Sequence, residues 1–476
     1  MKQTVKKKLA ALFENHFGEK AESADMLPLS GSYREYIRLK SAGCSAIGAW
    51  NADVKENRAF LTFSAQLCKS GIPVPQIYAV GDDKTFYLQE DLGNVNLFDF
   101  LTTTRNSEGF SHTITNEYRK VLSILPHIQV TASRHIDYTV CYPRAAFDRQ
   151  SMIWDLNYFK YYFLKLAKIP FDEQLLEDDF QRFADYLLTT GNDYFMYRDF
   201  QSRNIMLKGG GVFFIDYQGG RKGALQYDLA SLLYDGKADI PRHVREELLH
   251  FYLDRLEEIV PVDRNEFVKY YKGFVIIRIL QAMGAYGFRG FYEKKEHFLK
   301  SIPYALDNLN FLLQNLDLPV SLPELTRALH AVCDSEFLRS FTRERHKLTV
   351  SVTSFSYKKG IPGDASGNGG GFVFDCRSVN NPGRYPKFKM LTGKDIAVQQ
   401  FLEEKSEIEV FLNAVYALVG QSVRMYLERG FTHLAVNFGC TGGQHRSVYS
   451  AEKTAEFLQH HFPVTVELIH RELESS

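Results

Sequence analysis

The chain has 476 residues, 45% of them hydrophobic and 24% charged, with 15 prolines, a composition that excludes a largely disordered protein. Its length exceeds what one hydrophobic core usually fills, so about two to three domains are expected. The 57 basic residues balance the 57 acidic ones, which excludes a general attraction to polyanions and requires any bound anion to be held locally.

At the start, Leu9, Leu12, Phe13 and Phe17 fall at helical spacing, while Glu14, Asn15 and His16 interrupt the apolar run. This reads as an amphipathic first helix, with neither a signal peptide nor a membrane span. The six cysteines (Cys44, Cys68, Cys141, Cys333, Cys376, Cys440) form no CxxC pair, which fits a reducing, cytoplasmic setting with thiols mostly in the core.

From 27 to 93, short alternating segments such as Tyr33-Arg-Glu-Tyr-Ile-Arg-Leu and Cys44-Ser-Ala-Ile-Gly-Ala-Trp predict a small antiparallel sheet. A helix over 52–71 interrupts it, with Phe60, Phe63, Leu67 and Cys68 on one face, and Ile72-Pro-Val-Pro stops that helix. Beyond Asp91-Leu-Gly the texture becomes helical, over 117–130, 147–168, 172–190 and from 243 to about 316. Trp154, Tyr158, Tyr161 and Tyr162 in this region read as packing aromatics. Pro319 and Pro323 precede a modest helix, a boundary falls near 345, and strand patterns return at 348–355 and 372–376. The run Ser366-Gly-Asn-Gly-Gly-Gly is a loop within the last domain.

One β-rich segment interrupts the helices. In Arg198-Asp-Phe-Gln-Ser-Arg-Asn204 and Phe213-Phe-Ile-Asp-Tyr217, three oxygen-bearing side chains sit at the ends of neighbouring strands, the arrangement needed to hold magnesium against a nucleotide. Asp199 is the candidate base, and Asn204 and Asp216 are the candidate ligands, because magnesium takes hard oxygen donors and completes its shell with waters and phosphate.

These residues, with Gln226-Tyr-Asp-Leu-Ala-Ser-Leu-Leu downstream, resemble the catalytic loop of aminoglycoside phosphotransferases and protein kinases. They look most similar to the anomeric amino-sugar kinases that phosphorylate N-acetylmuramate and N-acetylglucosamine at carbon 1. The resemblance covers about residues 10–315 and implies an ATP- and Mg2+-dependent enzyme with a bilobal α+β fold. It further implies that Asp228 braces the catalytic loop, that Ser30, Gly31 and Ser32 cover the nucleotide phosphates, and that Glu90 lies in the segment holding adenine. Two departures stand out. Tyr197 occupies the position where these enzymes usually have histidine, and the strand 44–50 lacks the usual phosphate-contacting lysine, leaving Lys55, Arg34 or Arg38 as substitutes.

Near the C-terminus, Leu434, Val436 and Phe438 alternate as a buried strand, which turns through Gly439-Cys-Thr-Gly-Gly-Gln-His-Arg-Ser447 into a helix over 448–460. Orphan N–H groups at that helix start, the glycines, and the donors His445 and Arg446 make a phosphate-sized anion site. The spacing from Cys440 to Arg446 and Ser447 also suits a cysteine phosphatase, and spacing does not separate the two readings.

Together with "SFSYKKGIP", "FVFDCRSVNNPGRYP" and "LTGKD", this segment strongly resembles the RapZ C-terminal domain, over about 346–476. The resemblance implies amino-sugar phosphate as ligand, with Thr441, Gly442, Gly443, His445 and Arg446 as contacts, Asp375, Arg377 and Asn381 as neighbours, and Cys440 as a structural thiol. That family also contacts regulatory RNA through a basic tail. This chain ends Glu472-Leu-Glu-Ser-Ser, which argues against RNA binding.

The expected architecture is a kinase-like α+β domain over 1–345, divided into an N-lobe (about 1–92), a helical C-lobe (about 93–318) and a connector (319–345). A smaller RapZ C-terminal-like α/β domain follows over 346–476. The expected activity is phosphorylation of the anomeric hydroxyl of an N-acetylated amino sugar in cell-wall salvage, with amino-sugar phosphate sensed by the second domain. The alternatives are a pseudokinase that acts as a metabolite-binding protein and a kinase for another hydroxyl, such as that of an aminoglycoside.

Overall fold

A computed structural model describes residues 3–28, 34–315, 317–341, 348–363, 371–429 and 431–473. The chain divides into two compact units, Met1–Phe100 with Asn116–Glu344, and Leu101–Thr115 with Arg345–Ser476.

The first unit opens with helix α1 (Gln3–Phe17). A five-stranded antiparallel sheet follows, built from β1 (Ser23–Met26), β2 (Glu35–Lys40), β3 (Ser45–Trp50), β4 (Ile77–Val80) and β5 (Phe86–Glu90), in the order β1-β2-β3-β5-β4. Register decides which side chains meet. Ile37 lies opposite Gly48, and Gly48 opposite Leu88, so these residues, with Leu39, Ala46 and Phe86, share the face against which Leu9 and Phe13 of α1 pack. Gly48 fits closely there: a Cβ would lie 3.0 Å from the Ile37 side chain and 3.1 Å from that of Leu9, so either would have to shift by a few tenths of an ångström. The opposite face carries Tyr36, Arg38, Ile47, Ala49 and Tyr87.

Helix α2 (Val54–Lys69) crosses between β3 and β4. It starts where expected because the Asp53 carboxylate accepts hydrogen bonds from the N–H groups of Lys55 and Glu56, satisfying two of the orphan donors of the first turn. Its Phe60 stacks on Tyr87 of the sheet and on Tyr217 of the catalytic segment, with centroids 5.2 and 4.9 Å apart.

The rest of this unit is mainly helical, as the periodicity predicts. The long pattern from 243 resolves into separate helices, Arg242–Glu257, Arg264–Tyr286 and Ile302–Gln314 among them. Asp263 caps the second of these through the N–H groups of Asn265 and Glu266. Two short antiparallel ladders interrupt the helices: β6 (Tyr194–Met196) with β9 (Arg221–Gly223), and β7 (Ile205–Lys208) with β8 (Gly211–Phe214).

In the second unit, β10 (Thr349–Ser356), β11 (Gly371–Asp375), β12 (His433–Cys440) and β13 (Thr465–His470) form an all-parallel sheet in the order β11-β12-β10-β13. Parallel strands need crossover connections, and helices Ile408–Arg429 and Arg446–His461 supply them. Val350, Val352, Leu434, Val436 and Phe438 form the core with Val415, Val419 and Leu458 from the helices. The fold is thus a kinase-like α+β unit followed by an α/β unit with a parallel sheet. Among the described residues, no helix is long and apolar enough to cross a membrane.

Candidate functional site

The catalytic segment is held by one buried carboxylate. Asp228, on the first turn of helix Leu225–Leu233, accepts hydrogen bonds from the N–H groups of Tyr197 (2.8 Å) and Arg198 (3.0 Å) and from the Gln129 amide (3.2 Å). Gln129 is fixed in turn by the Tyr252 hydroxyl at 2.6 Å. Burial pushes Asp228 up to about 7, against the pull of these three donors.

Arg198 adopts a left-handed backbone (φ +82°), which is uncommon for a residue with a side chain, and its own guanidinium helps hold it there. The group lies beside the Phe147 and Tyr227 rings, 4.9 and 5.1 Å from their centres, and donates to Asp155 and to the Tyr227 hydroxyl, both at 2.6 Å. Tyr197 replaces the usual histidine as a brace. Its buried hydroxyl donates to the carbonyl of Ile215, tying the catalytic loop to the residue before Asp216.

These constraints bring Asp199, Asn204 and Asp216 together from the ends of the two ladders. The Asn204 amide donates to the Asp199 carbonyl at 2.9 Å and reaches the Asp216 carboxylate at 3.4 Å, while Gln218 donates to the other Asp216 oxygen at 2.7 Å. Asp216 also has a left-handed backbone, φ +70°. Burial, and then the neighbouring Asp199 carboxylate, push Asp216 above the ordinary carboxylate range, with Gln218 and the Arg34 charge pulling the other way. Two carboxylates and an amide gathered at one half-buried place suit a divalent cation, which takes hard oxygen donors. Among the described residues, no group of three or more His, Cys, Asp or Glu side chains could hold a metal ion, so phosphate oxygens and water would complete the shell.

The other expected nucleotide residues fall as follows. Glu90 ends β5; its carboxylate accepts from Lys208 at 2.7 Å and from the Gln76 N–H at 3.3 Å, and its own N–H is donated to the Gln76 carbonyl at 2.8 Å, so both its side chain and its N–H are committed. Ser30, Gly31 and Ser32 lie outside the described residues. Of the three candidate substitutes for lysine, Lys55 is exposed, and Arg38 is bound to Asp91 at 2.8 and 2.9 Å and to Asn94 and the Gly93 carbonyl. Arg34 is 2% exposed and pairs with Glu56 of α2 at 3.3 Å. Asp155, Gln129 and Glu56 were not singled out by sequence, because each acts through a partner 43 or more residues away or, for Glu56, through an unremarkable helix position.

In the second unit the turn 441–445 joins β12 to helix Arg446–His461, with Gly443 at φ +70°. His445 makes no side-chain cap to this helix, so the N–H groups of its first turn remain available to an anion. Thr441 and Gly442 are exposed at the same turn. The side chains point less simply than expected. Arg446 is 4% exposed and donates through Nη1 to the carbonyls of Arg377 (3.0 Å) and Val379 (2.8 Å), while its buried Nε has no hydrogen-bond partner. His445 meets the Phe388 carbonyl at 2.9 Å through Nε2. The segment 375–381 therefore does reach the turn, with Arg446 as the connection, while the Asp375 carboxylate is engaged by Arg377 at 2.7 Å. Cys440 is 3% exposed, accepts from the Gly443 N–H at 3.1 Å and contacts the Ser447 hydroxyl at 3.2 Å. Its burial and the commitment of Arg446 Nη1 to carbonyls favour a structural thiol.

Comparison with known proteins places both units. Residues 50–261 match the phosphotransferase enzyme family, and residues 348–474 match the RapZ C-terminal domain. An RNase adapter protein RapZ from Hamiltonella defensa is 34% identical over 178 residues, which cover 37% of this chain and 60% of that protein. A nucleotide-binding protein from Halorhodospira halophila is 43% identical over 130 residues, covering 27% of this chain and 43% of the relative. The chain thus spans less than two thirds of the length of the curated relatives it matches. Similar solved structures include a choline kinase from Streptococcus pneumoniae (16% identity, TM-score 0.41, covering 64% of this chain and 98% of that one). A spectinomycin phosphotransferase solved with ADP and spectinomycin is another (11% identity, TM-score 0.42, 69% and 98%). The chain carries a domain of the phosphotransferase enzyme family followed by a RapZ C-terminal domain.

Proposed function

We propose that the first unit is an ATP-dependent kinase for the anomeric hydroxyl of N-acetylmuramate or N-acetylglucosamine, and that the second binds an amino-sugar phosphate and reports on the pathway. The observation that carries the kinase reading is the convergence of half-buried Asp199, Asn204 and Asp216, braced through buried Asp228. Asp199 orients the acceptor hydroxyl and takes its proton as the hydroxyl oxygen bonds to the γ-phosphorus and the bond to the departing ADP breaks. Asn204 and Asp216 would hold magnesium, which neutralises charge developing on the phosphate oxygens.

The sugar assignment rests on the sequence resemblance and on the pairing of two domains whose families both point to amino sugars. For the second unit, the uncapped start of helix Arg446–His461 and the Arg446 Nε, which has no partner among the described residues, support a phosphate ligand held at exposed Thr441 and Gly442. The Gly443 N–H and His445 Nε2 are instead committed to Cys440 and the Phe388 carbonyl. Relatives sharing this domain are named nucleotide-binding proteins, so nucleotides belong among the ligands tested.

The test is incubation with ATP, Mg2+ and a panel of N-acetylated sugars, choline and aminoglycosides, with phosphorus NMR locating the transferred group and Asp199→Asn as control. Transfer to carbon 1 of an amino sugar is expected. Transfer elsewhere removes the anomeric assignment. No transfer to any acceptor favours the second reading, a metabolite-binding protein, for which the absence of lysine from β3 speaks.

A further inference from the structure

Alternation places Arg34, one residue before β2, on the same face as Tyr36 and Arg38, opposite the face packed on α1. On that face β3 contributes Ser45, Ile47 and Ala49, so the strand has no charge to offer a phosphate. Arg34 supplies one from the neighbouring strand. Its guanidinium pairs with Glu56 at 3.3 Å, and the other Glu56 oxygen accepts from Asn51 at 2.7 Å, so the carboxylate that positions the arginine is itself fixed to the end of β3. The guanidinium carbon lies 5.3 Å from the centre of the Phe60 ring, and Phe60 stacks on Tyr217, the residue after Asp216. Phe60 thus links Arg34 to the residue that follows the candidate magnesium ligand Asp216.

From this geometry we infer that Arg34, anchored by Glu56, contacts the phosphate chain of the nucleotide in place of the lysine missing from β3. The inference rests on the kinase reading above. A guanidinium also offers two parallel donors to phosphate oxygens where an ammonium offers a point charge, so a shift of strand is accompanied by a change of chemistry suited to a longer reach.

Binding, not turnover, tests it, which separates its failure from that of the kinase reading. Affinities for Mg2+-ATP, Mg2+-ADP and adenosine are measured by calorimetry on the full chain and on Arg34→Met, Arg34→Lys and Lys55→Ala. Arg34→Met is expected to lose roughly 10- to 100-fold for ATP and ADP while holding adenosine as before. Arg34→Lys keeps part of the phosphate affinity, and Lys55→Ala matches the parent chain. Unchanged ATP affinity in Arg34→Met overturns the inference. So does an equal loss of ATP and adenosine in both Arg34 variants, which would mark a purely structural residue. Failure of the parent chain to bind Mg2+-ATP overturns the kinase reading and this inference together, whereas ATP binding without turnover overturns neither the site nor Arg34's place in it.

Discussion

The two units treat charge in opposite ways. Around Asp199 and Asp216, two carboxylates face one half-buried place, and Asp216 is pushed above the usual carboxylate range by loss of solvent and by its neighbour. At the turn 441–445 the ionisable side chains are already engaged: Arg446 Nη1 holds two carbonyls and His445 a third. The first arrangement is short of positive charge and calls for a cation, which brings phosphates with it. The second offers a neutral backbone cradle at a helix start, with Arg446 fixing its shape. An anion can be held by either route, but only the first leaves a carboxylate free to take a proton.

That contrast can be broken in graded steps. The largest effect is expected from Asp199→Asn, which should lower the rate of phosphoryl transfer by about 10²-fold or more while leaving intact the thermal shift given by amino-sugar phosphate. If both vanish, the units are not independent in the way the contrast requires. Asp216→Asn should next remove the Mg2+ dependence of ATP binding, read by calorimetry with and without EDTA. Arg446→Ala should abolish the thermal shift from amino-sugar phosphate and also destabilise the second unit by about 2–3 kcal/mol, because two buried carbonyls lose their donor. A variant that keeps its stability but loses the shift would move Arg446 from frame to direct contact.

Tyr197→Phe removes only the hydroxyl that donates to the Ile215 carbonyl, and a loss of about 1–2 kcal/mol by denaturant unfolding is expected, with transfer still measurable. Smallest of all is a thiol contrast. Burial pushes Cys376 up to about 12, so at pH 8 roughly one molecule in ten thousand carries its thiolate. Iodoacetamide at that pH should label exposed Cys68 and leave Cys376 untouched until the chain is unfolded, by peptide mass mapping.

Much of this was legible in the residues themselves. Alternation and turn signals placed β2, β3, β10 and β12 close to where they lie, and helical spacing of apolar residues ended by Ile72-Pro-Val-Pro placed α2, whose cap at Asp53 only the structure showed. The one long helical pattern from 243 was harder to divide, since Asp263 interrupts the helices without changing the apolar period. In the catalytic segment, Asp199, Asn204 and Asp216 were readable because a short loop and adjacent strand ends fix their separation within 18 residues. The Asp155–Arg198 contact was not, because it joins side chains 43 residues apart whose local patterns are ordinary.

The sequence by itself therefore determined the oxygen-rich loop 198–204 and the glycine turn before the last helix, which depend on short-range spacing, and the two domain types through the resemblance those motifs carry. Tertiary structure decided which of Lys55, Arg38 and Arg34 is buried opposite Glu56, that the Arg446 guanidinium turns onto the carbonyls of Arg377 and Val379, and that Tyr197 braces Ile215. Those choices depend on strand register and on which buried donors and acceptors must find partners. Both are set only when distant segments pack together.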